Sequence, residues 1–112
     1  MESPKSNKLQ ELIVKYDKTK SEKIELLERL VRTLQNDPNE KHLKEFRGAV
    51  HNIGGSAGSF GYLAVSNVCK QLDAQAIERL ETLSLLDQNW LFSLNHFLEQ
   101  VKQGFEVPVE RD

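Results

Sequence analysis

Residues 43–61, LKEFRGAVHNIGGSAGSFG, decide the fold, because their apolar side chains recur every three or four positions. Those apolar residues are Leu43, Phe46, Val50, Ile53, Ala57 and Phe60. This spacing places them on one face of an α-helix. The pattern passes through a cluster of glycines, since four of the six glycines in the chain lie between residues 54 and 61. The cluster is therefore predicted to be helical and not a flexible loop.

On the N-terminal side, residues 9–34 have the same helical spacing, interrupted by a polar insert at residues 17–23. Two interpretations of the insert stay open. Thr19 and Glu22 would form a capping box that restarts a second helix. Alternatively, the lysines of the insert would form the solvated face of one continuous helix.

On the C-terminal side, two further amphipathic runs occupy residues 65–80 and 90–101, and the last helix is predicted to end near Gly104. Pro38 marks a turn, and no stretch has the period of two that is typical of a strand. Short connections between amphipathic segments predict an all-α fold, an antiparallel (up-down) four-helix bundle with an additional or extended N-terminal helix. The predicted bundle domain covers residues 7–105, between a flexible N-terminus at residues 1–6 and a flexible tail at residues 106–112.

The composition excludes several classes of protein. The chain has 112 residues, with 15 Lys and Arg against 17 Asp and Glu, which is the size of one domain without the positive charge of a nucleic-acid-binding domain. No apolar run approaches the roughly 20 residues of a membrane span. The single cysteine, Cys69, leaves no internal disulfide, and the first residues lack the apolar segment of a signal peptide. We therefore expect no nucleic acid and no membrane among the partners, and a cytoplasmic location. A monomer is also expected.

The helical glycine cluster draws attention to His51. Gly54, Gly55 and Gly58 follow it by three, four and seven positions, which places them on the same helix face. His51 itself is one position away from the apolar seam, so its imidazole is predicted to point to the flank of the bundle. A neutral imidazole there keeps one ring nitrogen with a free lone pair and can act as a nucleophile. The missing side chains beside it predict a docking surface that a partner approaches closely.

Other interpretations of the glycine cluster are weaker. Residues 54–58, GGSAG, match the G-x-S-x-G elbow of hydrolases, but that elbow follows a buried strand in a large sheet domain and the residues before it here have a helical pattern. A phosphate-binding loop would need a G-K-[ST] ending, which is missing. The remaining alternative is that small residues let two helices pack closely, with His51 an incidental surface residue. The other two histidines, His42 and His96, lack such a setting and are predicted to be solvated.

The histidine is followed by small and aliphatic residues, a later glycine and cysteine, and a leucine–acid pair: His51, Ile53, Gly55, Ser56, Gly61, Cys69, Leu72 and Asp73. In these positions the chain resembles the histidine-containing phosphotransfer (HPt) domain of two-component phosphorelays. The specific match covers about residues 43–76. The resemblance implies that His51 is the phosphorylated residue.

The chain departs from the family pattern at Gly54, where the family usually has a lysine that is thought to neutralise the phosphoryl group. Arg47, Lys44 and Lys70 are the candidates to supply that charge, since cations attract and hold phosphoryl oxygens. For Arg47 and Lys44, an ordinary solvated helix face is an equally good interpretation.

Asp73 is the candidate partner of the histidine. Counting back from the turn near residues 61–62, residues 70–73 lie opposite His51 in an antiparallel hairpin. Asp73 is predicted to accept a hydrogen bond from the imidazole, which fixes the tautomer and leaves the other nitrogen free to attack. A plain surface aspartate is the alternative. Cys69, on the same segment, is predicted to be a small buried core residue.

The resemblance implies a phosphorelay intermediate that accepts a phosphoryl group from a receiver-domain aspartate on His51 and passes it to another receiver domain. The implied partners are receiver domains of a hybrid histidine kinase and/or a response regulator. Because no ATP-binding motif is present, the chain is predicted to be a phosphocarrier without a cofactor of its own, with Mg²⁺ supplied by the receiver. The alternative function is a non-catalytic interaction module, or pseudo-HPt, that binds a receiver domain without phosphotransfer.

Overall fold

The computed structural model describes residues 4–107 and residue 109. This part of the chain contains five α-helices and no strand. The helices are α1 (Pro4–Lys18), α2 (Lys20–Asn36), α3 (Glu40–Ser59), α4 (Leu63–Glu81) and α5 (Gln88–Glu106), with a 3₁₀ turn at Leu83–Leu85 before α5. No helix among the described residues is long and apolar enough to cross a membrane.

Helices α2 to α5 form the bundle. Each packs against the next, and α5 packs back against α2, which closes the ring of four. The direction of α3 and α4 follows from their contacts, because Gly54 lies against Cys69 while the later Gly58 lies against the earlier Ser66. The two helices are therefore antiparallel. The predicted all-α, four-helix architecture with an additional N-terminal helix is confirmed.

Side-chain caps start α3 and α5. The Asn39 side chain accepts a hydrogen bond from the His42 backbone N–H at 2.9 Å, and the Asp87 side chain accepts one from the Trp90 N–H at 2.9 Å. Each cap satisfies one of the N–H groups that a helix start leaves without a partner. The turn predicted around Pro38 thus lies between α2 and α3 and leads into the cap of α3.

The end of α3 sets the hairpin that brings the site together. Beyond Ser59 the chain reverses at Gly61, whose φ of +92° lies in the region that favours glycine. The Tyr62 N–H donates to the Ala57 carbonyl at 2.8 Å, and the Gly61 N–H donates to the Gly58 carbonyl at 3.2 Å. This is the Schellman pattern of a helix C-terminus. It fixes the register between α3 and α4.

The N-terminal segment is two helices that meet at Thr19, so a single continuous helix is wrong. The predicted capping box with Glu22 is also absent, because the Thr19 hydroxyl donates backward to the Tyr16 carbonyl at 2.7 Å and makes no cap. Tyr16 is buried and stacks on Phe60, with 4.3 Å between ring centroids. Leu9, which the spacing assigned to the apolar face, is 57% exposed. The contact of α1 with α3 is made by Tyr16, whose hydroxyl lies 3.1 Å from the Ser56 hydroxyl, whereas Leu9 lies two turns earlier and stays open to solvent.

The predicted seams of the other helices form the core. The buried members are Leu27, Val31, Leu34, Leu43, Phe46, Val50, Ile53, Ala57, Val65, Cys69, Leu72, Ala76, Trp90, Leu91, Leu94 and Val101. The last helix was predicted to end near Gly104, and α5 ends two residues later, at Glu106. Gly104 is instead a close-packing position, because a Cβ there would lie 2.7 Å from a Val65 methyl group. The flexible termini stay predictions; of them, residues 1–3, 108 and 110–112 lie outside the described residues.

Candidate functional site

His51 lies in the middle of α3 and faces outward. Its neighbours in the apolar seam, Val50 and Ile53, are buried, whereas the His51 side chain is 59% exposed. This difference follows from the helical period, since His51 is rotated away from the seam that packs into the core. The imidazole is thus held on the flank of the bundle by a helix whose other face is fully packed.

Asp73 of α4 contacts this imidazole. The Asp73 Oδ2 atom lies 3.0 Å from the His51 Nδ1 atom, the contact predicted from the register of the hairpin. Asp73 is only 19% exposed, so its carboxylate is held against the bundle while the imidazole projects beyond it.

Arg47, one helical turn before His51, holds the other oxygen of the same carboxylate. Its Nε atom donates to Asp73 Oδ1 at 2.8 Å. The sequence predicted Arg47 as a possible phosphate cation, but its charge is paired with Asp73. The described contacts form a chain in which the Arg47 guanidinium orients Asp73 and Asp73 orients His51.

The ionisation of Asp73 decides the tautomer of the imidazole. Burial opposes ionisation of this carboxyl, but the hydrogen bonds from His51 and Arg47 outweigh it and hold the pKa of Asp73 below its ordinary value. An ionised carboxylate can only accept hydrogen bonds, so His51 Nδ1 must be the donor. The free lone pair of a neutral His51 is therefore on Nε2.

The three glycines near His51 do not form one open surface. A Cβ at Gly54 would lie 2.8 Å from the Cys69 Cβ, and a Cβ at Gly58 would lie 3.0 Å from the Ser66 hydroxyl. Gly54 is buried under α4, so its assignment to an exposed docking surface is wrong: it allows close helix packing. Gly58 lies at the same interface and is partly exposed. Gly55 is exposed and has no atom within 4 Å of a Cβ position, so it is the open member of the set.

The two lysines predicted to support the site differ in position. The Lys44 ammonium forms an exposed ion pair with Glu40 on its own helix, at 3.2 Å, on the surface of α3. Lys70 of α4 is exposed and lines a depression of about 180 Å³ beside the imidazole. His51, Gly55 and Asp73 line the same depression.

Other predicted residues have structural surroundings. Burial raises the pKa of the Cys69 thiol to about 12, with a smaller contribution from the Asp73 charge, so Cys69 is the buried core residue that the sequence predicted. Ser56 lies within α3, where its hydroxyl is bonded to the Ile53 carbonyl, and not on a strand-to-helix elbow. His42 is not simply solvated: its Nδ1 lies 2.7 Å from the Asp37 carbonyl oxygen.

The link between Arg47 and Asp73 was not predicted, although the sequence contains two signals for it. Arg47 precedes His51 by four positions, which places both on one helix face. The hairpin register puts Asp73 opposite that face, and the two side chains have opposite charges. No group of three or more His, Cys, Asp or Glu side chains that could hold a metal ion occurs among residues 4–107 and 109.

The comparison with protein families agrees with this geometry. The family model described as "Hpt domain" matches residues 19–104, from the start of α2 to near the end of α5. No curated protein and no solved structure matches the chain. Hpt domains act in phosphotransfer within phosphorelays, interact with receiver domains of two-component systems, and are phosphocarriers and not kinases. With its helical bundle and a match over most of its length, the chain belongs to the Hpt domain family.

Proposed function

We propose that this protein accepts a phosphoryl group from a receiver-domain aspartate on His51 Nε2 and passes it to the aspartate of a second receiver domain. One observation supports this most strongly: Asp73 occupies Nδ1 of an exposed imidazole and leaves Nε2 free. A nucleophile needs an available lone pair in a fixed orientation, and both conditions are met here.

The transfer requires little chemistry from the protein beyond positioning. The Nε2 lone pair attacks phosphorus, the bond from phosphorus to the receiver's carboxylate oxygen breaks, and that oxygen leaves with the electron pair. The Nδ1 proton stays in place, so the ring acquires positive charge as the new bond forms. The Asp73 carboxylate lies beside that charge and stabilises it. Attack and departure are in line, and Mg²⁺ belongs to the receiver's own site.

Docking would use the surface around Gly55, which has no side chain next to the imidazole. A monomeric state is part of this proposal, since both receivers would need access to the same exposed histidine. The chain would therefore meet its two partners one after the other. The transfer is also proposed to take place in the cytoplasm.

A direct transfer assay tests the proposal. Receiver domains from the source organism are charged with labelled acetyl phosphate and mixed with the wild-type protein or with His51→Gln. We expect label on the wild type that is labile to acid and stable to base, as phosphohistidine is, and none on His51→Gln. If a receiver binds both proteins and neither takes up label, the protein is a receiver-binding module without phosphotransfer. Equal labelling of both proteins would also contradict the proposal.

A further inference from the structure

A phosphoryl group on His51 would bring negative charge into a site whose charges are already partly balanced. Asp73 is an anion in direct contact with the imidazole, and Arg47 is bound to Asp73. These two side chains neutralise each other. An additional cation is needed for the phosphoryl oxygens, because an arriving anion otherwise meets a site with no net positive charge.

The helix that carries His51 does not offer this cation. The Lys44 ammonium is bound to Glu40. Position 54 is closed in the present packing, because a Cβ there would lie 2.8 Å from the Cys69 Cβ and any side chain would push α3 and α4 apart. A lysine three positions after His51 would therefore overpack this contact. The remaining candidate, Lys70, lies on the neighbouring helix α4.

Resting on the proposed function, we propose that Lys70 of α4 supplies the cation for the phosphoryl group on His51. Lys70 is next in sequence to Cys69, the residue that closes position 54, and it lines the depression beside His51. It forms no ion pair with any residue in the described part of the chain. Its flexible stem leaves the ammonium group able to follow an incoming phosphoryl oxygen.

In the transfer step, Lys70 makes and breaks no covalent bond. The phosphorus–oxygen bond to the receiver breaks as the Nε2–phosphorus bond forms, and the electron pair leaves with the receiver's carboxylate. The Lys70 ammonium keeps its protons and binds a non-transferring phosphoryl oxygen. It is most effective once the docked receiver has displaced water from the site, because charge interactions strengthen where water is excluded.

The test compares single-turnover rates of phosphoryl transfer from a charged receiver for wild type, Lys70→Gln, Lys70→Arg and Lys41→Gln. Lys41→Gln is the matched control, since Lys41 is an exposed lysine on α3 that does not line the depression. At saturating receiver we expect transfer by Lys70→Gln to be slower by about tenfold to a hundredfold. This loss of rate is smaller than the loss caused by removing a fully buried donor that stabilises charge. Lys70→Arg should restore most of the rate, and Lys41→Gln should match the wild type.

A second donor separates transition-state stabilisation from docking. Phosphoramidate has no protein surface to dock, so Lys70→Gln should also react more slowly with it. If Lys70→Gln slows transfer only by raising the receiver concentration needed for half-saturation, or reacts normally with phosphoramidate, Lys70 serves docking and the proposal is wrong. A loss in Lys44→Gln without a loss in Lys70→Gln would also overturn it. Failure of the proposed function looks different, because wild type and His51→Gln would then be labelled equally or not at all.

Discussion

Two adjacent glycines on α3 allow a matched test of the packing around the site. In Gly54→Ala the new Cβ lies 2.8 Å from the Cys69 Cβ, an atom next to the backbone that cannot swing away. In Gly55→Ala the new Cβ has nothing within 4 Å. Both substitutions gain about 0.5–1 kcal/mol from the higher helix propensity of alanine. This gain cancels when the two variants are compared.

The difference between the variants is therefore the cost of overpacking at the α3–α4 contact, about 1–3 kcal/mol. Gly55→Ala should be more stable than wild type by about 0.5–1 kcal/mol, and Gly54→Ala should be less stable than Gly55→Ala by about 1–3 kcal/mol. For a domain of this size, 1 kcal/mol corresponds to a shift of about 4 °C in Tm.

Urea unfolding measures this difference through the fluorescence of Trp90, the single tryptophan, which is buried in the core. Transfer activity is a second measurement. The defect of Gly54→Ala is in helix packing and not in the imidazole or its partners, so the folded variant should keep its transfer activity. If the two variants have the same free energy of unfolding within about 0.5 kcal/mol, α3 and α4 do not approach at Gly54 as described. The account of the closed position would then be wrong.

Three further predictions concern other parts of the structure. Because its pKa is lowered in the folded state, Asp73 contributes stability above its unfolded-state pKa of about 4, and this is lost as pH falls through the lower folded-state pKa. Asp73→Asn should therefore be less stable than wild type at pH 6 in urea unfolding, and a gap that persists unchanged at pH 2 would refute this. The Cys69 thiol, with its pKa raised to about 12, should resist alkylation by iodoacetamide at pH 8 and react in urea; rapid labelling of the folded protein would contradict its burial. Gly61→Ala should lower the free energy of unfolding by about 1–2 kcal/mol, since the φ of +92° disfavours a side chain; a neutral effect would argue against the Schellman turn.

The parts of the fold that follow from periodicity were predictable from the sequence. The spacing from Leu43 to Ala57 identifies the buried face of α3, and the position of His51 next to that face places it on the flank. The contact between His51 and Asp73 followed from counting along an antiparallel hairpin. These features depend only on the helical period and on the place of the turn.

Other features depend on how helices lie against each other, which the period alone does not determine. Gly54 and Gly55 are adjacent in sequence, yet one is buried under α4 and the other is open. A single-helix pattern cannot say on which side the neighbouring helix lies. Likewise, Leu9 fits an apolar face but is exposed, because the contact of α1 with α3 is made by Tyr16, two turns later. Local periodicity therefore predicted an open surface at Gly54, where the bundle is packed, and a buried one at Leu9, where it is exposed.

The partners of charged side chains were the least predictable part of the site. Arg47 and Lys44 both lie on the His51 face, and both were candidates to hold a phosphate. The structure pairs Arg47 with Asp73 and Lys44 with Glu40. The second pair has the i, i+4 spacing that stabilises helices, a signal that was available in the sequence. Predicting the Arg47–Asp73 pair requires the register between α3 and α4 and the direction of the long arginine side chain.

The position of the phosphoryl group on the imidazole tests the central claim most directly. The protein is labelled with ¹⁵N, charged by a phosphorylated receiver domain under alkaline conditions, and studied by NMR for coupling between phosphorus and the ring nitrogens. With Nδ1 held by Asp73, the account predicts one phosphoryl group on Nε2 of His51. Phosphorylation at Nδ1 of His51, at His42 or at His96, or none at all, would contradict it.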